Sequence, residues 1–139
     1  MSQDPKAVVR AYLEAMDAMD WDRLRTLMHP EHRFHFPLAP APLDREGHIG
    51  LSQGFRQGFG EFNHIVTEQL ASGDKVATRG KVRMKHTGEF NGVPASGNEV
   101  EIGFLQMAEV VDGTLRHEHV QLDALGLLQG IGALPAPPA

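Results

Sequence analysis

The sequence contains no cysteine. Disulfides, thiolate nucleophiles and cysteine-ligated zinc are therefore excluded. Basic side chains are in deficit, with 13 Lys and Arg against 18 Asp and Glu and a formal net charge of −5. Nucleic-acid binding needs a dense Lys/Arg surface, so no nucleic-acid partner is expected. The densest basic stretch, Arg79-Gly-Lys81-Val-Arg83-Met-Lys85, alternates and reads as the wet face of a strand. Lys81 and Lys85 then point to water, which argues against a Schiff-base lysine. Long apolar runs are missing too: none approaches the ~18 residues of a membrane span. The first residues show no basic stretch followed by an apolar one, so a cytoplasmic protein is the expectation. No nucleophile elbow, phosphate loop or redox motif is present.

What remains is a chain of 139 residues, 41% apolar, the right size for one domain with a real core. Asp4-Pro5 is a helix start, an acid at the N-cap followed by proline at the first turn. Val8, Tyr12, Ala15 and Met19 follow at helical spacing. Asp20 caps a second short helix from Trp21 to Met28, which His29-Pro30 ends. Arg33 to Phe36 is a short extended piece, and Pro37-Leu-Ala-Pro40-Ala-Pro42 is a loop. Asp44 caps a third helix running to about Phe59, with Leu51, Phe55 and Phe59 as its apolar stripe. Gly50, Gly54 and Gly58 form a parallel stripe without side chains. Close packing on another backbone is the favoured explanation of that stripe, and a mobile lid is the alternative. Strands then run from Phe62 to Leu70, Val76 to Phe90, Glu99 to Val110 and Leu115 to Asp123, with Asp112-Gly113 as a hairpin turn. Ala124 to Ile131 closes as a short helix. Helices first and a meander after them make the class α+β. Residues 1–133 are expected to form the domain and 134–139 a disordered, proline-rich tail.

Two stretches carry a family resemblance. His86-Thr-Gly-Glu-Phe90-Asn-Gly-Val-Pro94 with Gly97 is one. Asp112-Gly-Thr-Leu115-Arg-His-Glu118-His-(x)3-Asp123-(x)-Leu-Gly126-Leu-Leu-Gln129 is the other. Together they resemble the SnoaL-like polyketide cyclases of the nuclear-transport-factor-2-like superfamily, over about residues 5 to 133. The resemblance implies a cone-shaped, curved antiparallel sheet with three N-terminal helices enclosing a pocket. It also implies cofactor-free acid/base chemistry, with Asp123 at the family's general acid/base position, and a homodimer formed through the sheet. His119 stands where the family has tryptophan, which alters the pocket wall.

Strand alternation sorts the candidate side chains. His86 falls on the apolar face of its strand, as a satisfied core histidine or as a pocket acid/base. Gln106 is the lone polar residue in the row Val100, Ile102, Phe104, Gln106, Ala108, Val110. Its partner is either the protein or a substrate oxygen. On the last strand both rows are mixed, and alternation alone does not choose between them. The resemblance turns the row of His119 and Asp123 inward, about 13 Å apart along the strand. His117-x-His119, with His35 or His86, is a donor set zinc or iron would accept. A two-residue pair recurs by chance, however, and no metal is expected.

These readings converge on a cofactor-free acid/base enzyme acting beside a carbonyl of a small, mostly apolar, polyketide-like substrate, of cyclase or isomerase type. The alternative is a non-catalytic binding protein for a lipid-like or polycyclic ligand. Asp123, His119 and His86 are the candidate catalytic residues. Gln106, His35, His117, Trp21, Phe55, Phe59 and Phe104 are candidates for substrate binding.

Overall fold

A computed structural model describes residues 4–138. Residues 1–3 of the expected domain and Ala139 of the expected tail lie outside the described residues. The elements run α1 (Pro5–Asp17), α2 (Trp21–Thr26), β1 (Met28–His35), α3 (Arg45–Gly58), β2 (Phe59–Ser72), β3 (Lys75–His86), β4 (Glu99–Val111), β5 (Thr114–Leu122) and α4 (Ala124–Gly130).

The helix starts are fixed by side-chain caps. Asp4, Asp20, Asp44 and Asp123 each accept a backbone N–H from the first turn that follows. Val8, Val9, Tyr12, Leu13 and Ala15 of α1 are buried, so the helix lays one wide face on the sheet. The strands form one sheet in the order β1-β5-β4-β3-β2. All neighbours pair antiparallel except β1, which runs parallel to β5 along the edge. Pro30 lies inside β1, where an edge strand can spare its missing N–H. This is why β1 starts at Met28 and not, as the sequence suggests, at Arg33. Phe59 likewise opens β2 and does not extend the third helix.

Register shifts interrupt β2 against β3 at two places and β4 against β5 at one. Such bulges add twist and curl the sheet, which stays unclosed. Its concave face carries Val82, Met84, Val100, Ile102, Phe104, Ala108 and Val110 into the core beneath α1 and α3. The Asp112-Gly113 turn has φ of 52° and 73°, the left-handed pair of a type I′ hairpin. The glycine stripe of α3 is not a packing stripe along its length. A Cβ at Gly50 or Gly54 would meet nothing within 4 Å, and only Gly58 lies close to a neighbour, with Phe90 Cβ 3.0 Å from where its Cβ would sit.

Candidate active site

The β4–β5 register shift decides which side chains reach the interior. Glu109 pairs with His117, but Val110 pairs with Leu115, so one extra residue of β5, Arg116, is accommodated there. The insertion reverses the alternation. Leu115 points inward, and beyond the bulge so do Glu118, Val120 and Leu122, while His117 and His119 turn to solvent. The expectation that the His119/Asp123 row faces inward is therefore corrected.

Asp123 lies past the end of β5 and is exposed. Its carboxylate accepts the Gly126 N–H at 2.8 Å and caps α4. His119 stacks on His35 on the outer face, with ring centroids 3.9 Å apart. His117 Nδ1 lies 3.7 Å from Glu109 Oε1. His86 is buried away from the cavity, where its Nδ1 accepts the Ser96 N–H at 3.1 Å. Trp21 and Phe59 pack into the core and do not line the cavity. Gln106, Phe55 and Phe104 do line it. Thus three of the ten candidates meet at one place, and the three catalytic candidates do not.

That place is a cavity of about 80 Å³ between the concave face and helices α1 and α3. Its walls are apolar, with Phe36, Phe55, Phe62 and Phe104 among them. Its polar groups are few: Tyr12, Gln106 and Glu118, with Ser52, Arg56 and His64. Glu118 is 2% exposed. Tyr12 Oη lies 2.6 Å from its Oε1, and Gln106 Nε2 donates to its Oε2 at 2.6 Å. Loss of hydration outweighs these bonds and pushes its pKa up to about 7. Gln106 is 4% exposed, and its Oε1 has no hydrogen-bond partner among the described residues.

His64 stands on β2. Its Nδ1 is 2.7 Å from Asp17 Oδ1, and its backbone N–H donates to Asp17 Oδ2 at 2.8 Å. The carboxylate fixes the proton on Nδ1, so Nε2 is left as the basic nitrogen. Arg56 does not offer a free cation to the cavity, because its guanidinium donates to the carbonyls of Asp17, Phe59 and Gly60.

Behind Glu118 lie two further buried histidines. His32 lies within β1 and is 0% exposed. Its Nδ1 is 2.9 Å from the Leu115 carbonyl and its Nε2 is 3.0 Å from His48 Nδ1. His48 Nε2 lies 3.2 Å from Tyr12 Oη. Burial lowers the pKa of both rings, that of His48 strongly. His32, His48 and Glu118 each bring one ligating atom within 4.8 Å of the others, the grouping among the described residues compact enough to surround a cation. Their ring nitrogens already face each other at hydrogen-bond distance, so no cation is needed to satisfy them.

Neither Glu118 nor His64 was singled out from the sequence. Glu118 was hidden by the bulge, which alternation cannot see. His64 carried one weak signal, a place beside Phe62 and Val66 on the inward row of β2.

The sequence profile of SnoaL-like polyketide cyclases matches residues 6–131. Among solved structures, IdmH of Streptomyces antibioticus, a candidate polyketide cyclase, is 31% identical, with a TM-score of 0.85 over 94% of this chain and 99% of that one. AclR of Streptomyces galilaeus, a candidate hydroxylase, is 24% identical, with a TM-score of 0.86 over 96% of this chain and 84% of that one. A SnoaL-like protein of Jannaschia sp. CCS1 is 24% identical, with a TM-score of 0.84 over 96% of this chain and 100% of that one. No curated protein matches the sequence significantly.

Proposed function

Since the chain belongs to the SnoaL-like polyketide cyclase family, we propose that it moves a proton beside a carbonyl of a small, mostly apolar, ring-bearing substrate. The observation that carries this reading is the pair Glu118 and His64 on one apolar cavity. Their environments set them apart. Desolvation raises the pKa of Glu118 to about 7, and Asp17 orients the His64 ring through its Nδ1. A protonated carboxyl and an oriented imidazole are an acid and a base ready for opposite roles.

His64 Nε2 takes the proton from the carbon next to the carbonyl. As the C–H electrons move into the new C=C bond, the carbonyl oxygen gains charge and Glu118 gives it a proton. In a cyclase the enol attacks a second carbonyl of the same molecule, its hydroxyl returns its proton to Glu118, and the new alkoxide takes the proton held by His64; in an isomerase His64 delivers that proton to another carbon of the dienol while Glu118 regains its own. Gln106 Oε1 accepts a hydrogen bond from a substrate hydroxyl, so a phenol or enol beside the reacting carbonyl suits the site. Only side chains are used in this scheme. The family assigns the chemistry to a small-molecule site, which agrees with one domain over residues 1–133, a cytoplasmic location and a homodimer as further parts of the proposal.

The test uses 2-tetralone, a bicyclic ketone with acidic α-hydrogens. Proton NMR in deuterium oxide follows loss of those hydrogens. The wild-type protein should accelerate the exchange, and Glu118→Gln and His64→Asn should each reduce the acceleration by roughly 10²-fold or more. Saturable binding of the ketone without any faster exchange would favour a binding protein and reject the enzyme.

A further inference from the structure

The hydrogen bonds behind Glu118 can be counted proton by proton. Four contacts run in series: Leu115 O to His32 Nδ1 at 2.9 Å, His32 Nε2 to His48 Nδ1 at 3.0 Å, His48 Nε2 to Tyr12 Oη at 3.2 Å, and Tyr12 Oη to Glu118 Oε1 at 2.6 Å. Each contact needs one hydrogen. The carbonyl of Leu115 can only accept, so His32 carries its hydrogen on Nδ1. Burial holds both rings neutral. His32 Nε2 is then a bare lone pair, which His48 must meet with Nδ1–H. His48 Nε2 is in turn bare, and Tyr12 must give it the phenol hydrogen. The Tyr12 oxygen is left to accept, and only a protonated Glu118 can donate to it. The second carboxyl oxygen keeps its bond from Gln106 Nε2 in either state.

We infer that His48 and His32 are positioning residues that hold a proton on Glu118 by occupying the Tyr12 hydroxyl, through a chain of four hydrogen bonds that is complete only while Glu118 is protonated. When Glu118 gives its proton to a substrate, the Tyr12 hydroxyl turns from His48 to the carboxylate. The bond to His48, the longest of the four, opens. The chain therefore sets the direction of the chemistry, because the resting carboxyl is an acid and its ionised form is short of one bond. This deepens the proposed function and rests on Glu118 being the cavity's acid. The other ionisable groups on the cavity with Glu118 are His64 on β2, which favours its ionised form and is paired with Asp17, and Arg56 on α3, whose guanidinium donates to backbone carbonyls. Around His32, His117, Arg33 and Arg45 all disfavour a second ring proton.

The chain predicts shifts of opposite sign for Glu118, read by carbon-13 NMR of its carboxyl group. His48→Leu removes the acceptor that the Tyr12 hydroxyl needs in the protonated state, so the pKa should fall by about one unit. Tyr12→Phe removes the donor that the carboxylate needs, so the pKa should rise by a similar amount. A rise in His48→Leu would overturn the inference. Wild-type protein supplies a second readout that requires no variant to fold. Nitrogen-15 spectra at pH 6 should show both rings neutral, with hydrogen on Nδ1. They should also show His48 Nε2 losing its hydrogen bond as Glu118 ionises. An imidazolium, an Nε2–H form, or a tightly held metal on these rings would contradict the chain. None of these measurements involves turnover, so the chain can fail while the ketone assay succeeds, and the reverse.

Discussion

Glu118 loses its water on folding and regains only two short bonds, with the side chains of Tyr12 and Gln106. Its folded pKa of about 7 stands above the ordinary 4.5. A carboxyl raised in this way contributes stability that is fully present below pH 4.5 and is lost as pH rises through about 7. Glu118→Gln removes this dependence. The stability of that variant relative to wild type should therefore climb between those two pH values, by on the order of 3 kcal/mol, in urea titrations at several pH values. A constant difference across the range would show that Glu118 stays ionised. His32 and His48 act with the opposite sign, since their lowered pKa values withdraw stability as pH falls below the ordinary 6.5. At this scale the sequence was partly legible. Gln106 stood out as the lone amide in an apolar row, and it lies on the cavity. Glu118 did not, because one inserted residue at Arg116 exchanged the two faces of β5. Asp123 is a motif residue whose visible task is a helix cap.

Helix α3 forms one wall of the cavity through Leu51, Ser52 and Phe55. Gly50 and Gly54 sit on its open side, so alanine at either position adds helix propensity without a clash. Each substitution should stabilise the protein by about 1 kcal/mol in chemical denaturation. Destabilisation would mean that a backbone does rest on that stripe. The cavity of about 80 Å³ is well below the size of a drug-like site, which is about 300 Å³ or more. A bicyclic ligand must therefore push the wall outward, and Phe55, packed edge-on to Phe36 and Phe62, is the side chain that moves with α3. Amide hydrogens of residues 47–60 should exchange faster than those of α1 and slow when 2-tetralone binds. Equal protection in both helices, unaltered by the ketone, would leave no gate. The elements themselves were legible because caps, periodicity and turn residues agree: Asp44, the α1 stripe as far as Ala15 and Asp112-Gly113 fall where expected, whereas Met19, expected in that stripe, lies past the end of α1 and is exposed. The boundaries of β1 and β2 were not, since Pro30 and Phe59 read locally as helix punctuation and helix stripe, while sheet pairing decides otherwise.

Across the whole molecule the curved sheet buries one face under the helices and shows the other to solvent. Leu105 and Met107 are 57% and 49% exposed in the middle of that outer face, beside Leu70. Flanking charges are paired, as in Arg83 with Glu101 and Lys75 with Glu109. An apolar centre with a neutralised rim suits association of like faces. A symmetric dimer is expected by light scattering at micromolar concentration, and Leu105→Lys with Met107→Lys should return it to a monomer. A monomeric wild type would remove the dimer from the proposal and leave the cavity untouched. The central claim is that a protonated Glu118 does the chemistry, and the pH profile of 2-tetralone α-hydrogen exchange tests it most directly. Wild-type acceleration should fall as pH rises through about 7, and the residual rate of Glu118→Gln should lack that descending limb. A limb that persists in the variant, or a wild-type rate that rises through the same range, would contradict it.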